Sequence, residues 1–424
     1  MTARGDSHGG RVVRRVLMIA YHYPPVQGSS GVHRTLKFSR HLPAAGWEPI
    51  VLTVRDSAYP SRSRDLLQEI PPGIVVRRTA CLDAGRHLAI RGRYAMWTAL
   101  PDRWASWFLS GAVAGLRLIR RHRPQALWST YPIATAHVIG WFLARVSGLP
   151  WIADFRDPMC QDDYPTDRRQ WRAFQWVERR AVRASAAATF TAPSALRTYA
   201  ARYPGEPAER MWMLDNGFDE EDFAGIAAVP APTRPARLTL VHSGTLYPSE
   251  RDPTRLFEAL GQLRRDGRIA PDSFRLVLRA TGHDEIYGRM LDQAGIADIV
   301  ELAPPIDHRA AIAEMVAADG LLLLQASNCD HQIPAKIYEY LRAGRPIVAL
   351  TTRSGDTGAT LLDHGIEPVA PLDDLAGIRS GLVTALARIR AGTAPIPDPL
   401  AVARCSRQAQ TERLARLLDR VIAR

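Results

Sequence analysis

Only two of the 55 basic residues are lysines, Lys37 and Lys336, so the chain uses arginine by default. Lys336 lies in the segment Gln332-Ile333-Pro334-Ala335-Lys336-Ile337-Tyr338-Glu339, just past a proline that suits a helix start. Lys336 and Glu339 then fall at i and i+3 in the first turns and share one face. Such spacing ordinarily makes a surface salt bridge. A scarce lysine at that point argues instead for chemistry. A second candidate is Val241-His242-Ser243-Gly244-Thr245-Leu246-Tyr247-Pro248-Ser249-Glu250-Arg251. Gly244 lets the backbone approach a ligand, Thr245 donates from amide and hydroxyl, and Arg251 carries the planar fork that suits phosphate. Its plain alternative is a surface arginine.

A third candidate follows the first strand-like run: Tyr23-Pro24-Pro25-Val26-Gln27-Gly28-Ser29-Ser30-Gly31-Val32-His33-Arg34. Gly28 and Gly31 permit tight turns, and the next helix offers free N–H groups to phosphate or another anion. A plain strand–helix turn is the alternative reading. The spacing is not G-x-G-x-x-G, no G-x-G occurs anywhere, and G-x-x-x-x-G-K-[ST] is absent. A dinucleotide fingerprint and a Walker-type loop are therefore excluded.

The elements that must position these residues alternate. Strand-like runs at 16–20, 49–54, 74–77, 126–129, 151–155 and 187–192 are separated by helical patterns at 33–45, 104–121, 133–147 and 168–184. The rhythm repeats with runs at 237–243, 274–280, 300–303, 320–325 and 346–350. Near-continuous apolar strands between helices predict parallel sheets covered on both faces, and two such series predict two doubly wound domains. A length of 424 residues with 46% hydrophobic and 23% charged residues suits that and excludes a disordered or fibrous chain. The stretch 227–237 (AAVPAPTRPAR) reads as a connector or surface loop, with the domain boundary there or near 204–207.

Charge is divided unevenly. Residues 1–204 hold 30 basic and 13 acidic residues, a net of +17, whereas residues 205–424 carry a net of −5. The excess points to an anionic partner for the first half. Cys81, Cys160, Cys329 and Cys405 lie far apart without C-x-x-C, so no disulfide framework or zinc knuckle is signalled and a reducing cytoplasm is expected. No D-x-D and no His/Cys/Asp cluster with metal-ligand spacing occurs, so no metal is expected. The N-terminal residues lack the apolar core of a signal peptide, and the uncharged stretch 125–144 reads as strand and helix rather than a membrane span.

Five motifs in order resemble the retaining glycosyltransferases of family four. They are Tyr21-His22-Tyr23-Pro24-Pro25 with Gly28 and Gly31, then Trp151-Ile152-Ala153-Asp154-Phe155-Arg156-Asp157-Pro158, then Leu214-Asp215-Asn216-Gly217-Phe218-Asp219, the Ser243-Gly244-Thr245 loop, and the helix over 334–346. The resemblance runs from about Arg14 to about Leu418. It implies the GT-B fold, two facing Rossmann-like doubly wound domains with an interdomain cleft. On that plan residues 1–12 are a tail, 13–203 the acceptor-binding domain, 204–404 the nucleotide-sugar-binding domain, and 405–424 a helix crossing back to the first. The implied activity moves a sugar from a nucleotide-diphosphate sugar, the co-substrate, to an acceptor hydroxyl with retention, in bacterial surface-polysaccharide or glycosylated-metabolite synthesis. No other cofactor is implied.

By the same resemblance, Glu339 matches the second acid of the family's E-x7-E motif and holds the ribose. His331 stands where the first acid falls, with Asp330 beside it as substitute. Arg251 and Lys336 look like the basic pair on the diphosphate, with Gly244 and Thr245 supplying amides; Gly28, Gly31 and Asn216 complete the donor site. Fixed cations and amides suit that step because charge develops on the leaving oxygen. On the acceptor side the resemblance offers Asp157, a strand-end acid whose plain role is capping the next turn, and His137, which otherwise is a packed histidine. The acceptor would be a lipid-linked saccharide or a small molecule. The +17 charge and the aromatic stretches 94–108 and 171–176 extend this to an anionic inner membrane face, with core tryptophans as the bland reading. A sugar-nucleotide epimerase on the same architecture is the alternative enzyme. A phosphorylase has little room with two lysines, and nucleic-acid binding has no motif to support it.

Overall fold

The computed structural model describes residues 14–26, 30–63, 65–161, 164–226 and 236–423. Two compact units emerge. The first comprises Met1–Phe190, Tyr199–Leu214 and Thr411–Arg424, the second Thr191–Thr198 and Asp215–Gln410.

The first unit is built on β1 (Arg14–Ile19), β2 (Trp47–Val54), β3 (Val75–Thr79), β4 (Ala126–Thr130), β5 (Trp151–Arg156), β6 (Ala187–Phe190) and β7 (Met211–Met213). They form one parallel sheet in the order β3-β2-β1-β4-β5-β6-β7. β4 and β6 are buried along their whole length, as strands covered by helices on both faces must be. Strand order reverses between β1 and β4, the place where such sheets open a crevice at the carboxyl ends of their strands. Across that point Arg34 grips the fully buried Asp154 through Nε at 2.9 Å and a terminal nitrogen at 2.8 Å. Thr130 and Thr189 hydroxyls donate to the same carboxylate, each at 2.7 Å. Burial alone would raise the Asp154 carboxyl, but Arg34 and these donors hold it below its usual range. Asp154 is thus half of a structural ion pair inside the core.

The second unit repeats the plan with β8 (Leu238–Ser243), β9 (Phe274–Arg279), β10 (Val300–Ala303), β11 (Gly320–Leu324) and β12 (Ile347–Leu350), parallel and ordered β10-β9-β8-β11-β12. Its reversal falls between β8 and β11. Apolar clusters lie on both faces of this sheet, one around Leu240, Leu276 and Leu322, the other around Val241, Leu321 and Leu323. The alternation of Leu240 and Val241 along one strand is what feeds both.

The division between units differs from the boundary at 203/204 read from sequence. β7 follows that point and pairs with β6, so the first unit runs on to Leu214. Three residues, Met-Trp-Met, are too short to announce a strand by pattern. The stretch 227–235 lies outside the described residues. The last helix, Arg407–Ile422, passes into the first unit, where Leu414, Leu417, Leu418 and Val421 join the core of Val16, Met18 and Trp128. All four cysteines are free thiols. No helix among the described residues is long and apolar enough to cross a membrane.

Candidate functional site

β8 ends at the reversal point, and its last residues meet the helix Lys336–Ala343 that follows β11. Two contacts fix this meeting. The backbone N–H of Ser243 donates to the Tyr340 hydroxyl at 2.8 Å. Lys336 Nζ lies 3.0 Å from His242 Nε2, while His242 Nδ1 lies 2.9 Å from the Leu322 carbonyl oxygen. A carbonyl only accepts, so Nδ1 carries the proton and Nε2 is the bare acceptor for the lysine. Burial first, and then the Lys336 charge, push the fully buried His242 well below its usual range and keep it neutral.

Lys336 in turn lies over Gly244, where a Cβ would stand 3.0 Å from Nζ and where φ is +105°. The φ calls for glycine there, and a Cβ would crowd the lysine tip. Burial and the neighbouring Arg251 bring the Lys336 ammonium down to about 7, Glu339 acting weakly the other way. Arg251 is 9% exposed. One of its terminal nitrogens reaches Glu250 at 3.3 Å and its guanidinium lies over Tyr247, but its buried Nε has no hydrogen-bond partner. Two cations therefore act on each other, with Glu250 beside Arg251 and Glu339 acting on Lys336, a site that an anionic ligand would satisfy.

Glu339 shares the helix with Lys336 but does not pair with it. Its carboxylate lies 3.8 Å from His308 Nε2, and His308 lies 3.3 Å from Asp222. Burial, with Asp222 adding to it, raises the Glu339 carboxyl, while His308 is the first of the groups that oppose this. The surface salt bridge that i, i+3 spacing ordinarily gives is thus absent among the described residues. Thr245 is half-buried against Gly282, whose absent Cβ would meet its methyl at 3.2 Å. Asp330 accepts from the Thr352 hydroxyl and its carboxylate fills the space beside Gly355, tying its loop to the next one. Asn216 sits half-buried just after β7, next to Gly217, where the Cys405 carbonyl oxygen would lie 2.2 Å from a Cβ. A cavity of about 630 Å³ opens at the far end of the Lys336 helix, around Gly344, Pro346 and Ile396, away from these groups.

The remaining candidates belong to the first unit. Gly28 lies outside the described residues, and Gly31 is buried in the first helix, Ser30–His41. Asp157 follows β5 directly, half-buried, with its charge near Arg156 and Tyr131. It caps no helix among the described residues. Arg156 holds a left-handed φ of +64°, an unusual conformation for a residue with a side chain. His22, at the end of β1, is pushed down to about 4 by burial and by the Arg156 charge. His137 corrects the reading from sequence: it is fully buried, its Nδ1 lies 2.8 Å from Ser129 Oγ, and it packs on Trp151 and Phe155. Burial brings it to about 4, so it is a packed core residue. His242 is not singled out by any motif; a polar residue inside an apolar strand is the signal in the sequence that points to it. Among the described residues no group of His, Cys, Asp and Glu could hold a metal ion.

Residues 30–217 match the model of the glycosyl transferase 4-like domain. Those residues carry a glycosyl transferase 4-like domain, and the two parallel doubly wound sheets give the chain the GT-B fold. Among solved structures it is similar to Anabaena Alr3699/HepE, crystallised with UDP and glucose, at 15% identity and TM-score 0.61 over 96% of this chain and 100% of that one. It is likewise similar to sucrose-phosphate synthase from Thermosynechococcus elongatus, at 15% identity and TM-score 0.57 over 97% and 96%. The third is WaaG, a glycosyltransferase involved in lipopolysaccharide biosynthesis, at 13% identity and TM-score 0.61 over 95% and 99%. No curated protein matches the chain in sequence.

Proposed function

We propose that this glycosyltransferase takes its sugar from a nucleoside-diphosphate sugar and transfers it with retention, without a metal ion, to an acceptor hydroxyl in surface-polysaccharide or glycosylated-metabolite synthesis. The observation that carries the donor class is the approach of two cations, Lys336 and Arg251, with the buried Arg251 Nε unpartnered among the described residues. HepE, a structural relative, binds UDP and UDP-glucose, which supports the same class here. On this reading Glu339 is the group for the ribose hydroxyls, Thr245 and Gly244 offer amides, and Asn216 and Asp330 are further donor-binding candidates.

In the reaction the bond from the sugar's C1 to the diphosphate oxygen breaks, and the electron pair stays on that oxygen. Lys336 and Arg251 stabilise the charge that develops there. The acceptor oxygen bonds C1 on the same face, and its proton passes to the departing diphosphate. The two cations neutralise that leaving group without a metal. Acceptor binding falls to the first unit, with Asp157 beside Arg156 orienting the hydroxyl, and a lipid-linked saccharide or a small molecule as its class.

A thermal-shift screen with UDP-, GDP- and dTDP-sugars tests this reading. A true donor raises the melting temperature by mass action and, with an acceptor, yields a glycosylated product. Conversion of the donor to a new nucleotide sugar or free sugar without an acceptor would favour epimerase chemistry instead.

A further inference from the structure

One flank of the first unit carries an excess of positive charge that is scarcely neutralised among the described residues. The helices Trp107–His122, Ala134–Ser147 and Arg168–Ala184 lie side by side. Phe108 meets Phe142 edge-on at 5.5 Å, and Trp141 meets Trp176 at 5.9 Å. The three helices hold ten arginines and a single acid, Glu178. All ten arginines are exposed. Glu178 faces inward, fully buried, and accepts from the Tyr199 and Tyr203 hydroxyls at 2.7 and 2.8 Å. Only Arg183 of the ten reaches a carboxylate among the described residues, Glu206 at 3.8 Å.

Apolar groups are exposed beside that charge. Leu109, on the first of the three helices, is 71% exposed. The segment leading into this helix is bound to its start by the Ala84 N–H to the Arg103 carbonyl at 2.8 Å and by reciprocal bonds between Leu82 and Ser106. It displays Ile90 at 80% and Trp97 at 77% exposure. Between Ala84 and Pro101 there are three arginines and no acid. Large apolar side chains left in water next to unpaired arginines are unfavourable for a free surface. A polyanion such as RNA would meet the charge but leave Ile90 and Leu109 without a partner. A bilayer of anionic phospholipids satisfies both: phosphates pair with the guanidinium forks and the apolar tip enters the headgroup boundary.

We infer that the first unit docks through this flank on an anionic phospholipid surface, with residues 84–97 inserted and the arginines of the three helices on the headgroups. Sedimentation of the full chain with phosphatidylcholine vesicles, with and without phosphatidylglycerol, tests it. Binding is expected only with phosphatidylglycerol at low salt, and high salt should weaken it. The double variant Arg172→Glu/Arg179→Glu should bind on the order of tenfold more weakly, with donor-dependent turnover on a soluble acceptor unchanged. Brominated acyl chains should quench tryptophan emission of the wild type, and Trp97→Ser should lose that quenching, which reads insertion without a charge-reversed variant. Absence of vesicle binding at low salt would overturn the inference. So would full binding by both variants, or tight binding to RNA by a chain that ignores vesicles.

Discussion

At the residue scale the chemistry rests on how Lys336 is held. His242 is neutral and offers Nε2 at 3.0 Å, so the ammonium is aimed without being cancelled. Lys336→Ala or Arg251→Ala should lower turnover by on the order of tenfold or more, with the melting temperature nearly unchanged, because each removes a charged donor to the diphosphate. Steady-state kinetics beside a melting curve reads both quantities, and normal turnover in both variants would refute the assignment. A pH effect follows from the same lysine. Its ammonium sits near 7 in the free protein, brought down from 10.5 by burial and Arg251. A bound diphosphate stabilises the charged form, so binding above pH 7 should take up a proton. Calorimetry of UDP binding near pH 8 in two buffers of different ionisation heat should show this uptake, and Lys336→Met should abolish it. Without ligand the sign for stability is the opposite of an ion pair's. Unfolding releases the lysine to its ordinary value, so between about 7 and 10.5 the unfolded chain binds the extra proton and stability rises with pH.

At the element scale, two devices hold the active ends of the sheets in place. In the second unit, Tyr340 and Lys336 sit four residues apart on one helix and touch consecutive residues of β8, Ser243 and His242. Tyr340→Phe leaves the Ser243 N–H without its acceptor, and an unmade buried hydrogen bond costs about 1–3 kcal/mol. The expected result is a lower melting temperature together with weaker donor binding, since the helix that carries Lys336 is loosened. In the first unit the Arg34–Asp154 pair joins the first helix to β5 across the reversal point. Asp154→Ala strands a buried guanidinium and should cost about 3–5 kcal/mol, measured by denaturant unfolding. A loss under 1 kcal/mol would show that Arg34 finds another partner there.

At the scale of the whole molecule, charge and chemistry are distributed between units in opposite ways. The net of +17 lies in residues 1–204, yet the two cations assigned to the donor lie in the half whose net is −5. Net charge bears on the proposed contact with an extended anionic surface and says little about a site made of two side chains. Hydrogen exchange should separate the two jobs. UDP should protect amides around 242–251 and 330–339, and anionic vesicles should protect those of 84–97 in the first unit. Protection by UDP confined to the loops of the first unit would reassign the donor site.

Most of the fold could be read along the chain, because parallel strands buried on both faces must be apolar throughout, as Leu321-Leu322-Leu323-Leu324 and Trp151-Ile152-Ala153 are. Lys336, Arg251, Gly244 and Glu339 could be singled out by residue type and position: a scarce lysine, an arginine after a glycine loop, an acid one turn on. What they do to each other could not. Only folding sets Lys336 over Gly244 and against His242, 94 residues away in sequence, and turns Glu339 toward His308 instead of Lys336. The same is true of His137, which the resemblance offers for the acceptor side and which burial assigns to the core. Periodicity records which side of a strand or helix is apolar, a local property of consecutive residues. Whether a polar side chain on that element meets water, a ligand or a buried partner depends on what other elements bring to it. The sequence alone therefore determined the two sheets and named the residues able to bind an anion, and the tertiary structure decided which of them converge.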